Sequence, residues 1–254
     1  MTKTGRRIAA FNWKLDPTDL DTFASTHKHL KRLSKKYSNT TVLFAPPTQT
    51  LGIKLGADAD LIRAAQTISL FNNGAHTGNV SATLLRNMGV TYTIIGHSEI
   101  REETGMSDEI VSKKVSHALS EKLTPIVCFG ESKRDTKGKY TDVLESQILI
   151  VLDPLTDAQR KKVILAYEPI WAIGKNAARP ITSEELFSTI ILIKNIIARA
   201  YGETISKKIK ILYGGSVKAH NAEELAAVTG VSGFLVGSAS HKSDQLEPII
   251  ESLS

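Results

Sequence analysis

Short apolar runs rich in β-branched residues alternate along the chain with longer amphipathic or charged stretches. Runs of this kind are typical of strands, and the stretches between them have the residue spacing of helices. The pattern therefore predicts a regular alternation of strand and helix. The eight predicted strands are Arg7 to Trp13, Thr41 to Ala45, Leu61 to Gln66, Thr91 to Ile95, Pro125 to Phe129, Val163 to Tyr167, Lys210 to Tyr213 and Gly233 to Val236.

The clearest predicted helix runs from about Ser183 to Tyr201. Thr182 and Glu185 have the spacing of a capping box at its start, and Gly202 is a typical residue for ending a helix. One face of this helix carries apolar residues at steps of three and four positions, which predicts a buried stripe. The stripe consists of Leu186, Ile190, Ile193 and Ile197.

The predicted strands are continuously apolar, which indicates burial on both faces, as in a parallel sheet covered by helices. Eight strand-helix units in 254 residues predict a closed (β/α)8 barrel of eight parallel strands. An open doubly wound sheet is the alternative, but no Gly-x-Gly-x-x-Gly motif follows the first strand. No linker or low-complexity segment interrupts the pattern, so residues 1–254 are predicted to be a single α/β domain.

Composition excludes several classes of protein. Hydrophobic residues make up 41% of the chain, enough for a sizeable core, and this excludes a disordered or fibrous protein. Lys194 and Asn195 interrupt the longest apolar stretch, so no membrane-spanning helix is expected. The first apolar run ends at Lys14, and no secretory signal is visible. The single cysteine, Cys128, can form no internal disulfide. We therefore expect a soluble, cytoplasmic protein without a membrane partner.

The net charge of +6, from 32 basic and 26 acidic residues, permits an anionic partner. The basic residues are scattered, however, and their densest groups lie in predicted exposed helices or turns without interleaved aromatic residues. These groups are Lys31-Arg32 with Lys35-Lys36, and Lys207-Lys208. No nucleic-acid partner is expected.

Polar residues directly follow several predicted strands. Asn12 to Lys14 follows the first strand, Gly96 to Glu99 the fourth and Glu168 the sixth, while two glycine-rich turns at 214–217 and 237–240 follow the last two. Each feature alone has a structural explanation, such as a solvated lysine or a turn that requires glycine. The carboxyl ends of barrel strands share one face, so together these residues predict a site with a cation, an imidazole, a carboxylate and free backbone amides.

Five segments resemble the signature segments of triosephosphate isomerases and occur in that family's order. They are Asn12 to Lys14, Gly74 to Gly78, Gly96 to Glu99, Ala166 to Gly174 and Tyr213 to Val217. The similarity extends from about Ile8 to Ser240. It implies a TIM barrel that interconverts dihydroxyacetone phosphate and D-glyceraldehyde 3-phosphate in glycolysis and gluconeogenesis. A small phosphorylated sugar is then the substrate, and neither a cofactor nor a metal ion is implied.

The resemblance implies a catalytic role for three side chains. Glu168 is the base that moves a proton between two neighbouring substrate carbons. Desolvation makes a carboxylate in a covered apolar pocket a stronger base, and Ile173 and Leu235 are the apolar residues expected over it. His97, as neutral imidazole, and Lys14 stabilise the oxygens on which enediolate charge grows.

Further residues are implied in substrate binding. Asn12 is a neutral donor, and Glu99 is expected to orient Lys14. Glycine-rich loops bind phosphate through backbone N–H groups, which add no bulk. These donors are expected at Gly174, Ser216, Gly237 and Ser238. The family most often has glycine at the position of Ser238, but the backbone donor survives the change.

Residues 169–177 correspond to the family's closing lid, which excludes water and strengthens electrostatic interactions in the site. The chain is about two residues longer than the family pattern before Thr182. We expect the chemistry to survive this insertion but the lid kinetics to differ. The lid residues are Pro169, Ile170, Trp171, Ala172, Ile173, Gly174, Lys175, Asn176 and Ala177.

The resemblance also implies a homo-oligomer, with a dimer favoured. The third loop, about Phe71 to Asn79, would insert beside Asn12 and Lys14 of a partner, with Thr77 as its deepest polar contact. The family's interface has two acids around an arginine. Uncharged residues occupy the three matching positions, Asn79, Ile100 and Met106, and their joint replacement predicts a less ionic contact or a weaker dimer.

Two other functions are compatible with these residues. An isomerase of a longer ketose phosphate, such as a tetrulose phosphate, would use the same base, imidazole and phosphate loops. A catalytically idle phosphate-binding barrel is the second alternative, but the joint presence of Lys14, His97 and Glu168 argues against it. A serine hydrolase is not supported, since no Gly-x-Ser-x-Gly elbow is present, and no cluster has metal-ligand spacing.

Overall fold

Eight parallel strands close into a barrel in which each strand pairs with its neighbours in sequence and β1 pairs with β8. The computed structural model describes residues 5–16, 19–53, 61–174, 177 and 179–254. The strands are β1 Arg7–Asn12, β2 Thr40–Ala45, β3 Ile62–Ala65, β4 Tyr92–Ile95, β5 Thr124–Phe129, β6 Ile164–Tyr167, β7 Lys210–Tyr213 and β8 Gly233–Val236. All eight predicted strands are present, and no strand end differs from the prediction by more than one residue.

Helices cover the outside of the barrel between successive strands. Their bounds are α1 Leu20–Lys36, α2 Ala82–Asn87, α3 Ser98–Thr104, α4 Asp108–Ser120, α5 Lys139–Leu152, α6 Asp157–Arg160, α7 Ser183–Tyr201, α8 Glu203–Lys208, α9 Ala222–Ala227 and α10 Ser243–Glu251. Short 3₁₀ helices span Thr48–Thr50, Ile170–Ala172 and Ser238–His241. The helix predicted from about Ser183 to Tyr201 is α7.

Helix α7 begins and ends as its sequence predicts. Thr182 accepts a hydrogen bond from the backbone N–H of Glu185, and the Glu185 carboxylate accepts one from the N–H of Thr182. This capping box satisfies donors that the first helical turn leaves without partners. Gly202 follows the last turn with φ 86°, a left-handed backbone angle that glycine adopts without a steric penalty.

The core has two layers because alternate residues of each strand point in opposite directions. Ile8 and Ala10 point into the barrel, whereas Ala9 and Phe11 of the same strand pack against the helices. The interior cluster also contains Leu43, Ala64, Ile94, Ile126, Cys128, Ile164, Ala166, Leu212 and Leu235. Because side chains fill this interior, a ligand site can form only at the ends of the strands.

Within the described ranges, no helix is both long enough and apolar enough to span a lipid bilayer.

Candidate active site

His97 lies at the carboxyl end of β4 and caps helix α3. Gly96, with φ 73°, turns the chain sharply after the strand. The His97 Nδ1 accepts a hydrogen bond from the backbone N–H of Glu99 at 3.3 Å. A ring nitrogen that accepts carries no proton, so a neutral His97 carries its proton on Nε2. The helix start therefore orients the ring so that Nε2 is the nitrogen available to donate.

Glu168 follows β6, and its carboxylate is buried, with 2% of the residue exposed. The backbone N–H of Ser98 donates a hydrogen bond to its Oε2 at 3.1 Å. Its Oε1 lies 3.3 Å from Nε2 of His97 but accepts no hydrogen bond from any described residue. Buried carboxylate oxygens without a protein partner are uncommon, and a catalytic role is one reason for them. Among the described residues, Oε2 of Glu131 is the other such oxygen.

Lys14 lies in the loop that directly follows β1, and its ammonium contacts the Glu99 carboxylate. Its backbone N–H donates to Oδ1 of Asn12 at 3.1 Å. One acid thus pairs with Lys14 through its side chain and with His97 through its backbone N–H. The cation and the imidazole are therefore held side by side.

A cavity of about 210 Å³ opens at this end of the barrel. Its lining comes from the loops after β1, β4, β6, β7 and β8, as the strand-end argument predicts. The sequence-predicted residues that line it are Asn12, Lys14, His97, Glu99, Ile170, Ile173, Gly174, Ser216, Leu235, Gly237 and Ser238. Glu168 is not on the cavity wall. It lies behind it, against His97 and Ser98, which are both on the wall.

Comparison with known proteins matches almost the whole chain. The family model described as triosephosphate isomerase matches residues 7–253. The chain is 37% identical over 246 residues to the triosephosphate isomerase of Alkaliphilus oremlandii, covering 96% of this chain and 98% of that protein. It is 36% identical over 248 residues to the triosephosphate isomerase of Clostridium botulinum strain Eklund 17B, with the same coverage. The chain is also 36% identical over 250 residues to the triosephosphate isomerase of Dictyoglomus turgidum, covering 97% of this chain and 99% of that protein.

The chain belongs to the triosephosphate isomerase family. The family and the (β/α)8 fold predicted from the sequence are therefore confirmed, and so is the aldose-ketose isomerase function that the resemblance implied.

The segment predicted to be the lid, residues 169–177, contains a 3₁₀ helix, Ile170–Ala172. The indole Nε1 of Trp171 donates to Oε1 of the buried Glu131 at 2.8 Å, which ties the near end of the lid to the loop after β5. Pro169 and Ala172 are buried, and Ala177 is exposed. Lys175 and Asn176 lie outside the described residues.

The inserted stretch at the far end of the lid contains Arg179. Its guanidinium pairs with both carboxylate oxygens of Glu185, at 2.5 and 2.7 Å, and lies 4.9 Å from the ring centre of Trp171. The hydrogen bond from Arg179 is the main reason that the pKa of Glu185 falls to about 2. The insertion therefore brings a cation that pairs with Glu185 of α7 and lies over the ring of Trp171 in the predicted lid.

Four residues at this candidate site had no individual role in the sequence prediction. Ser98, Gly214 and Gly215 lie within the segments predicted to form the site, whereas Glu131 lies in none of them. Ser98 holds the Glu168 carboxylate through its backbone, and its position at the start of a helix was the available signal. Gly214 and Gly215 line the cavity. Glu131 accepts from Tyr167, Trp171 and Arg134 inside the structure, a role that no local motif indicates.

Cys128 lies in the barrel interior near Glu168. Burial, and secondly the Glu168 carboxylate, raise the pKa of its thiol well above the usual range. Only the thiolate is a strong nucleophile, so Cys128 is a protonated core thiol. This agrees with its placement at the end of a buried strand.

Proposed function

We propose that this protein interconverts dihydroxyacetone phosphate and D-glyceraldehyde 3-phosphate, with Glu168 as the single base. The observation that carries the proposal is the buried Glu168 carboxylate, whose Oε1 accepts no hydrogen bond from the described part of the chain and lies 3.3 Å from Nε2 of His97. A base with a free oxygen beside a neutral donor suits the removal of a proton from a carbon next to a carbonyl.

In the forward direction, Glu168 takes a proton from C1 of dihydroxyacetone phosphate, and the electron pair of the C–H bond forms the double bond of an enediolate. The N–H of His97 and the ammonium of Lys14 stabilise the charge on the two oxygens. His97 gives its Nε2 proton to the C2 oxygen and takes the proton of the C1 hydroxyl. Glu168 then returns its proton to C2, which yields the aldehyde.

Glu168 has to leave its bond to the Ser98 N–H in order to reach a substrate carbon, since it lies behind the cavity wall. We propose that closure of residues 169–177 accompanies this movement and excludes water. Ile170, Ile173 and Gly174 of this segment line the cavity, as does Leu235. We propose that Ile173 and Leu235 cover the base in the closed state.

The phosphate is proposed to bind the backbone N–H groups of Gly174, Ser216, Gly237 and Ser238. All four line the cavity, and glycine-rich loops leave such donors accessible. The cavity, about 210 Å³, is smaller than the roughly 300–1,000 Å³ of typical ligand pockets. This size favours a three-carbon sugar phosphate over a longer ketose phosphate.

The free, buried Cys128 is compatible with a reducing compartment, and we propose a cytoplasmic location.

A coupled assay tests this proposal with dihydroxyacetone phosphate and glyceraldehyde 3-phosphate as substrates, run beside a tetrulose phosphate. We expect the kcat/KM for the trioses to exceed that for the tetrulose by orders of magnitude, because the cavity is small. A higher kcat/KM for the tetrulose phosphate would show that the longer ketose is the substrate. If the protein turns over none of the three compounds, the result would support the alternative of a phosphate-binding barrel without catalytic activity.

We also propose that the protein is a homodimer. Leu15 and Phe71, on the first and third loops, are 82% and 51% exposed, which is unusual for large apolar side chains. A groove of about 490 Å³ lies beside the third loop, and Asn79, Ile100 and Met106 all line it. The three positions that carry charges in the family therefore lie together in one groove, and their side chains here are uncharged.

Sedimentation across a concentration series tests the dimer. We expect a species of twice the 27.7 kDa chain mass, and a dissociation constant that changes little with salt because charged residues are missing at those three positions. The variant Phe71→Ser should raise the dissociation constant. A monomer with full activity at every concentration would contradict the dimer proposal.

A further inference from the structure

Lys14 has an unusual backbone conformation for a residue that is not glycine. Its φ is 52°, and among the described non-glycine residues only Lys122 shares a positive φ. A side chain's Cβ meets the backbone closely in this left-handed region, so the conformation persists only where surrounding contacts fix it. Those contacts determine where the Lys14 ammonium points.

Lys14 is the second residue of a four-residue turn from Trp13 to Asp16. The turn closes through the N–H of Asp16, which donates to the Trp13 carbonyl at 3.1 Å. Gln66 donates to the Lys14 carbonyl at 2.6 Å. The Nε2 of His241 lies 3.1 Å from the same Trp13 carbonyl, and its Nδ1 lies 3.1 Å from Oδ2 of Asp16. One imidazole therefore contacts both ends of the turn that contains Lys14.

The chemistry of these partners fixes the roles of the two ring nitrogens. A carbonyl oxygen only accepts, so Nε2 of His241 is the donor to Trp13. The Asp16 carboxylate faces Nδ1 at 3.1 Å. The two ring nitrogens of His241 therefore face the two ends of the turn, one at the Trp13 carbonyl and the other at Asp16.

The loop after β8 controls Lys14 in a second way. His241 belongs to the 3₁₀ helix Ser238–His241, directly after Gly237. A Cβ on Gly237 would lie 3.2 Å from Cε of Lys14, so the lysine side chain packs closely over that glycine. The same loop sets the side-chain path of Lys14 and anchors its backbone turn.

We propose that Asp16 and His241 are a positioning pair that holds the turn around Lys14 and thereby aims its ammonium into the active-site cavity. The proposal rests on the function of Lys14 proposed above. Neither residue of the pair lines the cavity, so we expect neither to contact the substrate. They act through the backbone of Trp13 and Lys14.

A double-mutant cycle with Asp16→Ala and His241→Leu tests the pair. Leucine keeps apolar contact with Trp13 but forms no hydrogen bond. We expect each single variant to raise KM and to lower kcat/KM about 10-fold to 100-fold, because Lys14 is misplaced. The double variant should lose no more than either single variant, since both remove the same contact. Asp16→Asn, whose amide can donate to Nδ1 of a neutral ring, should stay close to the wild type.

Additive losses in the double variant would overturn the pairing. A lower melting temperature with unchanged KM would show a structural role only and would also overturn it. Crystal structures of the wild type and of His241→Leu give a measure independent of activity: the φ of Lys14 should leave the left-handed region in the variant, and an unchanged φ contradicts the proposal. If the wild type lacks isomerase activity, the proposed function fails, while this backbone comparison still decides the inference.

Discussion

Glu168→Asp is expected to lower kcat by about 10²-fold to 10³-fold while KM changes little. Aspartate keeps the carboxylate but is one methylene shorter, so the base retreats from the carbon whose proton it must take. Proton transfer depends steeply on this distance. Binding of the phosphate and the substrate oxygens depends on other residues, so KM should not follow kcat.

Steady-state kinetics in both directions measures this effect. One further variant tests the role of Glu168 in a second way, and another is the control. Glu168→Gln retains the shape and an acceptor for the Ser98 N–H but cannot act as a base, so it should lose at least as much activity. Glu102→Asp makes the same change in an acid that lines the cavity wall and should leave kcat almost unchanged. Ordinary activity in Glu168→Asp would remove Glu168 from the proposed mechanism.

Gly130→Ala is expected to lower the free energy of unfolding by about 3 kcal/mol or more and to abolish most activity. A Cβ at Gly130 would lie 1.8 Å from the carbonyl oxygen of Glu168 and 2.7 Å from its carbonyl carbon. Both atoms are backbone and cannot rotate away. The strands β5 and β6 must therefore separate at the point where the N–H of Glu168 donates to the Phe129 carbonyl at 2.8 Å.

Urea unfolding measures the change in the free energy of unfolding, and an assay of the folded fraction measures the loss of activity separately. The matched control is Gly5→Ala, where the nearest atoms to a new Cβ belong to the Lys210 side chain at 3.9 Å, an ordinary contact distance. It should unfold like the wild type. If Gly130→Ala is as stable and active as that control, Glu168 is not held by the close approach of these two strands.

Local patterns were sufficient to predict the elements of this fold. The alternation of apolar and polar stretches located all eight strands, and the capping box between Thr182 and Glu185 located the start of α7. These signals arise from contacts between residues a few positions apart, so one segment contains all the information. Strand ends were less certain, because pairing with the neighbouring strands decides where a strand stops.

The positions of the candidate site residues were also predictable, since polar residues after parallel strands meet at one end of a barrel. Lys14, His97 and the glycine-rich loops all line the cavity. Their detailed arrangement was not predictable. The Ser98 N–H that holds Glu168 is 70 positions away in sequence, and His241 contacts a turn 228 positions earlier.

The sequence by itself determined the order of strands and helices, the family and the identities of the residues at the strand ends. The tertiary structure alone decided that Glu168 lies behind the cavity wall with one oxygen unpartnered, and that Asp16 and His241 bracket Lys14. Helix and strand signals depend on neighbours in the chain. Contacts between loops depend on how eight strands align when the barrel closes, and no single segment encodes that alignment.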